Sequence, residues 1–224
     1  ATAQASDAAA SYVALGDSIT TGYGLNGEPS FADLLAANIG CTLNDTMARD
    51  GATTADLLAQ VQNTDNSSAL MEADVITVTI GGNDLMAALY EFLAAEYNGG
   101  ELTAAQVRDI LMDSSDPMYT QFLVFAAGTV PSFAGSDQAA AAFTAAAANF
   151  TSAVSAIKSL NPDVQLIVAT QYNPYAYAAG EATGLFAQYA SAISEAFDAG
   201  VRQLNAAIQM GSTVGGYAVA DVYT

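Results

Sequence analysis

A serine in a short turn is the first residue of this sequence whose setting points to chemistry. Residues 12–15 (Tyr-Val-Ala-Leu) form an apolar run that ends at Gly16, and Asp17 and Ser18 follow directly. This pattern predicts a buried strand that leads into a functional loop. On such a turn a serine can present its oxygen as a nucleophile, while neighbouring backbone N–H groups bind the charge that develops on a carbonyl oxygen. Ser18 is therefore the candidate nucleophile.

Two more loops follow predicted strands and carry residues suited to the same chemistry. Residues 49–54 contain Gly51, whose N–H a substrate oxygen can approach closely because no side chain intervenes. Residues 81–84 (Gly-Gly-Asn-Asp) contain Asn83, whose side-chain amide can donate a hydrogen bond. Ligands of open parallel sheets bind outside the carboxyl ends of the strands, so we expect the three loops to gather at one edge. Together they predict an oxyanion hole.

Each of these residues also has an ordinary structural interpretation. Ser18 can be the cap of a strand-to-helix turn, Gly51 a turn glycine and Asn83 a helix cap. The order and context of the three loops, rather than any one of them, favour the catalytic interpretation.

The elements that must position these loops alternate along the chain. Apolar runs predict strands at residues 12–15, 43–48, 74–80, 164–169 and 217–220. Helical spacing predicts helices at residues 31–39, 53–61, 85–96, 103–112, 136–160 and 185–210, and residues 113–135 are predicted to be irregular. Alternating strands and helices predict an α/β fold, a three-layer α/β/α sandwich with a flavodoxin-like parallel sheet. We expect residues 1–224 to form a single domain, with residues 85–135 as an insertion over the active-site edge.

Composition excludes several classes of partner. The chain has 224 residues, of which 52% are hydrophobic and 12% charged, so it folds rather than remaining disordered. Its formal charge of −19 repels nucleic acids and anionic membrane surfaces. Polar residues interrupt every apolar run, so we expect no stable membrane insertion. We expect no metal or cofactor, since no acidic run is dense enough to form a ligand cage; whether the lone Cys41 is buried or pairs outside this chain stays open.

The three loops resemble the conserved blocks of a known family, the SGNH (GDSL) hydrolases. Gly16-Asp17-Ser18 resembles the first block, the Gly51 segment the second, and Gly81-Gly82-Asn83-Asp84 the third; residues 171–175 (Gln-Tyr-Asn-Pro-Tyr) are similar to secreted bacterial members. The resemblance implies that Ser18 attacks an ester carbonyl, while the N–H groups of Ser18 and Gly51 and the side chain of Asn83 stabilise the oxyanion. We also expect Asp17 and Gly82 to contribute to substrate binding. The resemblance and the composition of residues 1–10 predict a secreted protein.

The family's fourth block, Asp-x-x-His, supplies the general base and the residue that orients it. The 224 residues contain no histidine, and residues 221–224 (Asp-Val-Tyr-Thr) have threonine in its place. Threonine does not accept a proton near neutral pH as imidazole does, so Asp221 is not assigned to a triad. We expect the natural chain to continue past Thr224 into that block.

Three functions remain to be compared. The first is hydrolysis of carboxylic esters through an acyl-enzyme on Ser18, without metal or organic cofactor. The second is a catalytically silent module that binds acylated glycans or lipids. A metal-dependent phosphoesterase is disfavoured because such sites usually recruit histidine. Lipid, short acyl ester and acetylated sugar stay open as substrates, and the oligomeric state stays open as well. Aromatic residues between 85 and 135 either line an acyl groove or form the core of added helices.

Overall fold

A computed structural model describes residues 9–176 and 185–223, with side chains of the second range described from residue 190 onward. Residues 1–8, part of the segment whose composition predicted secretion, and Thr224 lie outside the described residues. The strands are β1 (Ser11–Gly16), β2 (Thr42–Asn44), β3 (Val75–Thr79), β4 (Gln165–Ala169) and β5 (Ala218–Ala220). The α-helices are α1 (Ser18–Thr21), α2 (Phe31–Ile39), α3 (Thr54–Gln62), α4 (Ser67–Met71), α5 (Gly82–Glu96), α6 (Ala104–Met112), α7 (Tyr119–Thr129), α8 (Asp137–Leu160) and α9 (Leu185–Gly215). Short 3-10 helices cover Thr64–Asn66, Tyr97–Gly99 and Val130–Gly135.

The five strands form one parallel sheet in the order β2-β1-β3-β4-β5. This is the flavodoxin-like order, so the predicted α/β class with a helix-flanked parallel sheet is confirmed. Strand β2 lies on one side of β1 and β3 on the other, so the direction in which successive strands are added reverses after β2. Because parallel crossovers are right-handed, the β1–β2 connection and the β2–β3 connection cover opposite faces.

The interior strand β1 is buried on both faces. Tyr12, Val13, Ala14 and Leu15 have no exposed surface. Tyr12 and Ala14, which share one face, pack against Ala32 and Ala36 of α2. The small alanine side chains let the helix lie close to the strand, which fixes the end of β1 from which the Ser18 turn departs.

The second strand is shorter than predicted. We expected residues 43–48 to be extended, but β2 ends at Asn44. The Asn44 side chain accepts hydrogen bonds from the backbone N–H of Thr46 at 3.2 Å and from its hydroxyl at 2.8 Å. Asparagine forms such local turns readily, and here the turn replaces the strand pairing that would have continued to residue 48.

Residues 119–135 are helical where an irregular segment was predicted. Pro117 precedes α7, Gly128 lies in its last turn, and Pro131 occupies the first turn of the 3-10 helix Val130–Gly135. Proline is tolerated in a first turn because its missing N–H would have no partner there anyway. The prolines and the glycine therefore mark helix ends. At the C-terminal side, α9 continues to Gly215 rather than ending near residue 210.

Contacts within the chain group its described residues into two compact units. The first comprises residues 9–80, 149–169 and 211–220 and contains the sheet. The second comprises residues 81–148, 170–176, 185–210 and 221–223 and is helical.

The helical unit has its own aromatic core. Tyr97 packs against Phe122 and Phe125 with ring centroids 5.3 and 5.0 Å apart, and Phe92 packs against Phe133 at 5.6 Å. Four of these rings are fully or almost fully buried, namely Phe92, Tyr97, Phe122 and Phe133. The aromatic residues between 85 and 135 were expected either to line an acyl groove or to form the core of added helices. These four form the core of the helices.

Among the described residues, helix α8 meets the length and composition criteria for a membrane-spanning helix. The core helix of a soluble protein meets the same criterion. Ala139, Ala146, Ala153 and Ile157 of α8 are buried, at spacings that place them along one side of the helix.

The ends of β1 and β3 approach each other too closely for a side chain at residue 16. Gly16 pairs with Thr79, has a φ of 133°, and a Cβ atom placed on it would lie 2.2 Å from the Thr79 carbonyl oxygen. Only glycine combines that backbone conformation with that contact.

A buried polar network begins at this contact. The Thr79 hydroxyl donates to Asp17 Oδ1 at 2.9 Å and lies 2.7 Å from the Thr20 hydroxyl, which donates to the Leu15 carbonyl oxygen at 3.1 Å. Asp17, Thr20 and Thr79 are each at most 2% exposed. A second hydroxyl pair, Tyr12 with Thr77 at 2.7 Å, lies further along the strands.

Replacing Thr79 should destabilise the fold more than replacing Thr77. Thr79→Val removes a hydrogen bond to a buried carboxylate and should lower the free energy of unfolding by about 2–3 kcal/mol, as for bonds to charged groups. Thr77→Val removes a bond between neutral hydroxyls and should cost about 1 kcal/mol. Urea denaturation of both variants measures the difference. Equal losses would contradict a stabilising role for the Thr79–Asp17 bond.

Candidate active site

Ser18 is the first residue of α1 and follows the buried N-cap Asp17. The Asp17 side chain accepts a hydrogen bond from the backbone N–H of Ile19 at 3.1 Å, and the backbone N–H of Asp17 donates to the Thr79 carbonyl oxygen at 3.1 Å. Ser18 itself is half-buried. Its backbone N–H belongs to the first turn, where helix N–H groups have no partner within the helix. The turn thus places both the hydroxyl and the backbone N–H of Ser18 at the start of α1.

The loop that carries Gly51 is bound to the Ser18 turn on both sides of α1. The backbone N–H of Arg49 donates to the Gly16 carbonyl oxygen at 3.0 Å. The Thr21 hydroxyl donates to the Asp50 carboxylate. Gly51 follows at once, is exposed, and adopts a φ of 75° with open space where a side chain would lie. The structure therefore brings together the loops of two predicted site residues, Ser18 and Gly51.

A capping box fixes the far side of this loop. Thr53 and Asp56 exchange side-chain and backbone hydrogen bonds at the start of α3. The hydrogen bonds from the Thr53 backbone and hydroxyl hold the pKa of the Asp56 carboxyl below its usual value. Arg49 lies 3.5 Å from the same carboxylate, with 61% of its side chain exposed. Residues 49–56 are thereby restrained at both ends around Gly51.

Asn83 lies in the first turn of α5, half-buried, and two glycines precede it. Gly81 caps the helix with a φ of 109°, and a Cβ atom there would lie 2.9 Å from the Leu204 side chain. A Cβ atom on Gly82 would lie 3.0 Å from Gln171 Oε1. The double glycine of this segment thus lets α5 begin close to α9 and to the loop after β4.

Sequence reasoning missed a buried pair that supports this segment. Gln171 donates its backbone N–H to Asn205 Oδ1, and Asn205 Nδ2 donates to the Gln171 carbonyl oxygen, both at 2.7 Å. Both residues are at most 5% exposed. Asn205 continues the buried side of α9 formed by Phe197, Val201 and Ile208. The sequence signal that could have indicated Asn205 is a polar residue among the apolar core positions of one helix face.

Asp221 has a structural role in the helical unit. It accepts hydrogen bonds from the Thr170 hydroxyl at 2.9 Å and from the backbone N–H of Tyr223 at 3.1 Å. The Thr170 hydroxyl in turn accepts from the backbone N–H of Val222 at 2.8 Å. These bonds hold residues 221–223 against Thr170.

The roles predicted for Ser18, Gly51, Asn83, Asp17 and Gly82 all stay predictions. Asp17 is turned into the buried network below Ser18, and Gly82 lies beside Gln171 and Asn83 at the start of α5. Across residues 9–176 and 185–223, the structure contains no group of three or more His, Cys, Asp or Glu side chains arranged to hold a metal ion.

Comparison with known proteins places the chain in a family. Two solved structures resemble it: an extracellular lipase from Streptomyces rimosus (24% identity, 96% of this chain and 81% of that one, TM-score 0.57) and a phospholipase A1 from Streptomyces albidoflavus NA297 (22%, 96% and 80%, TM-score 0.55). At these identities the likeness shows the fold, and no curated protein sequence matches the chain. Residues 14–221 match the model of the GDSL-like lipase/acylhydrolase family. This match includes all three loops that follow β1, β2 and β3, and the chain belongs to that family.

Proposed function

We propose that the protein hydrolyses carboxylic esters with Ser18 as the nucleophile. The Ser18 oxygen attacks the ester carbonyl, the serine proton passes to a base, and the alcohol leaves with a proton. Water then releases the acid from the acyl-serine. The observation that carries this proposal is the turn itself. It sets Ser18 at the start of α1, next to an Asp17 whose carboxylate accepts hydrogen bonds from Ile19 and Thr79, in a chain of the GDSL-like family.

The oxyanion is stabilised, in this proposal, by the backbone N–H groups of Ser18 and Gly51 and by the Asn83 side chain. Support comes from the two hydrogen bonds that hold the Gly51 loop against the Ser18 turn. Further support comes from the position of Asn83 in the first turn of a helix of fifteen residues, where the helix dipole favours negative charge. In this proposal Asp17 positions Ser18, and Gly82, which has no side chain, leaves room beside Asn83.

The 224 residues hold no histidine, so the imidazole that the mechanism requires is not among them. The residues described here supply the nucleophile and the oxyanion donors. Without a base, these groups alone retain only a small part of a serine hydrolase's rate enhancement.

The family match over residues 14–221 includes both units, and we propose that they act as one hydrolase domain. Extracellular location is part of the proposal. It is supported by the similarity to an extracellular lipase and by the composition of residues 1–10.

Ser18→Ala should abolish ester hydrolysis. In the protein expressed from its complete gene, we expect hydrolysis of p-nitrophenyl butyrate to fall by roughly a thousandfold or more, because loss of the nucleophile removes the acyl-enzyme route. Ser155→Ala, an exposed serine on α8, is the control and should leave the rate unchanged. The 224 residues alone should hydrolyse the ester at about the Ser18→Ala rate. Equal activity of wild type and Ser18→Ala in the complete protein would sink the catalytic proposal and leave a binding module.

Asn83→Ala should lower kcat without a comparable change in KM. Removing one oxyanion donor from a serine hydrolase costs about 100- to 1,000-fold in kcat, since the bond strengthens only in the transition state. Steady-state kinetics on the complete protein measure both constants, and Asn149→Ala on α8 is the control. A rise in KM at constant kcat would assign Asn83 to ground-state binding instead.

Gly51→Ala and Gly40→Ala form a matched pair. Both glycines adopt left-handed backbone conformations, with φ of 75° and 70°, and neither has an atom within 4 Å of the added Cβ. Each substitution should cost about 1 kcal/mol of unfolding free energy from backbone strain. Only Gly51→Ala should also reduce kcat, because the strain displaces its N–H. Equal activity of the two variants, at equal thermal stability, would remove Gly51 from the oxyanion hole.

A further inference from the structure

A cavity of about 520 Å³ lies within the helical unit. Its walls come from α5, the end of α6, α7 and α9. Protein cores contain few voids larger than a water molecule, whereas small-molecule sites measure roughly 300–1,000 Å³. The size of this space is therefore that of a ligand site rather than a packing defect.

The inner walls of the cavity are apolar. Leu89, Leu93, Leu123, Ala126 and Val130 form them, and each is at most 8% exposed. No charged side chain is among the described residues that line the cavity. Apolar cavities bind apolar molecules because water gains little by entering them.

Two tyrosines in the wall are already satisfied by protein partners. The Tyr90 and Tyr175 side chains are hydrogen-bonded to each other, and the Tyr175 hydroxyl lies 3.3 Å from Met86 Sδ. Burial raises the pKa of both phenols above the ordinary value, so both stay neutral. In the described residues, the buried side-chain polar atoms without a hydrogen-bond partner belong to Gln60 and Gln171. Neither residue lines the cavity. The inner wall therefore offers no unmet hydrogen bond to a polar ligand.

The mouth of the cavity is exposed and carries hydroxyl groups. Met112, which is 74% exposed, lines it together with the exposed Ser114 and Thr120. Asp113 lies between Met112 and Ser114 in the chain, and hydrogen bonds from Ser115 lower the pKa of its carboxyl. The hydroxyl groups of the rim are suited to a neutral polar group, and the described residues of the rim include no cationic side chain that would bind an anion.

We propose that this cavity binds the hydrocarbon chain of an uncharged long-chain ester, with the polar end of the ligand at the rim formed by Met112, Ser114 and Thr120. The acyl chain enters the apolar interior, and the formal charge of −19 on the chain disfavours binding of the free fatty carboxylate. The identification of the ligand as a substrate rests on the proposed function, whereas the binding site itself does not.

Binding is measured first with the Ser18→Ala protein, in which no hydrolysis can intervene. The probe is N-phenyl-1-naphthylamine, a neutral apolar fluorophore, competed with 1-decanol or decanoate at pH 8. We expect the probe to bind, and 1-decanol to displace it at several-fold lower concentration than decanoate, with the difference shrinking in 0.5 M salt. Absence of probe binding, or stronger displacement by decanoate, overturns the proposal.

A matched pair of variants locates the site. Thr120→Trp narrows the mouth and should weaken probe binding about tenfold, whereas Val124→Trp, at another exposed position of α7 that does not line the cavity, should leave it unchanged. Equal affinity in both variants would place the probe elsewhere.

Hydrolysis separates this proposal from the previous one. The complete protein should show a lower KM for p-nitrophenyl decanoate than for the acetate, and Thr120→Trp should reduce that difference. Activity that depends on Ser18 but shows no chain-length effect on KM leaves the esterase proposal standing and overturns the cavity as its acyl site. Probe binding without Ser18-dependent activity has the reverse meaning: the apolar site stands and the esterase proposal fails.

Discussion

The contact between Gly16 and Thr79 is the constraint on which the rest of the candidate site depends. Because residue 16 has no side chain, the end of β1 lies directly against the end of β3 and Asp17 can donate its N–H to the Thr79 carbonyl. The same threonine then binds the Asp17 carboxylate with its hydroxyl, which turns the chain into α1 with Ser18 as its first residue. The Gly16 carbonyl also accepts from Arg49, so the Gly51 loop is positioned from the same point. One glycine and one threonine thereby hold two of the three loops.

The charge distribution is compatible with the backbone and amide donors proposed for this site. The chain has four basic residues against 23 acidic ones, and all four bind partners within the protein. Arg49, Arg108 and Arg202 pair with Asp56, Asp109 and Asp198, and Lys158 donates to the Val164 carbonyl. Neutral N–H dipoles held in place by hydrogen bonds can stabilise a transient oxyanion without any of these cations.

The sequence alone predicted what depends on local patterns. Apolar runs and helical spacing predicted the helix-flanked parallel sheet, and the glycine-containing loops predicted the family, because both signals lie within a few adjacent residues. Two of the features that it did not predict are local, and two depend on contacts between distant residues. Asn44 ends β2 through a side-chain turn, and Pro131 begins a helix rather than breaking one. The Gln171–Asn205 pair joins positions that only the tertiary fold brings together. The apolar cavity is likewise a product of helix packing, since its walls come from separate helices.

Strands β3 and β4 pair in register from Val75 with Gln165 onward, although the whole of α5 to α8 lies between them in the chain. The entropic cost of closing such a connection rises only slowly with its length. A change in the number or length of the helices between the first turn of α5, which carries Asn83, and α8 therefore costs the β3–β4 pairing little free energy. The hydrogen bonds between Asp17 and Thr79, which hold the Ser18 turn, do not involve these helices. The architecture separates a helical segment that can vary in length from the loops of the candidate site.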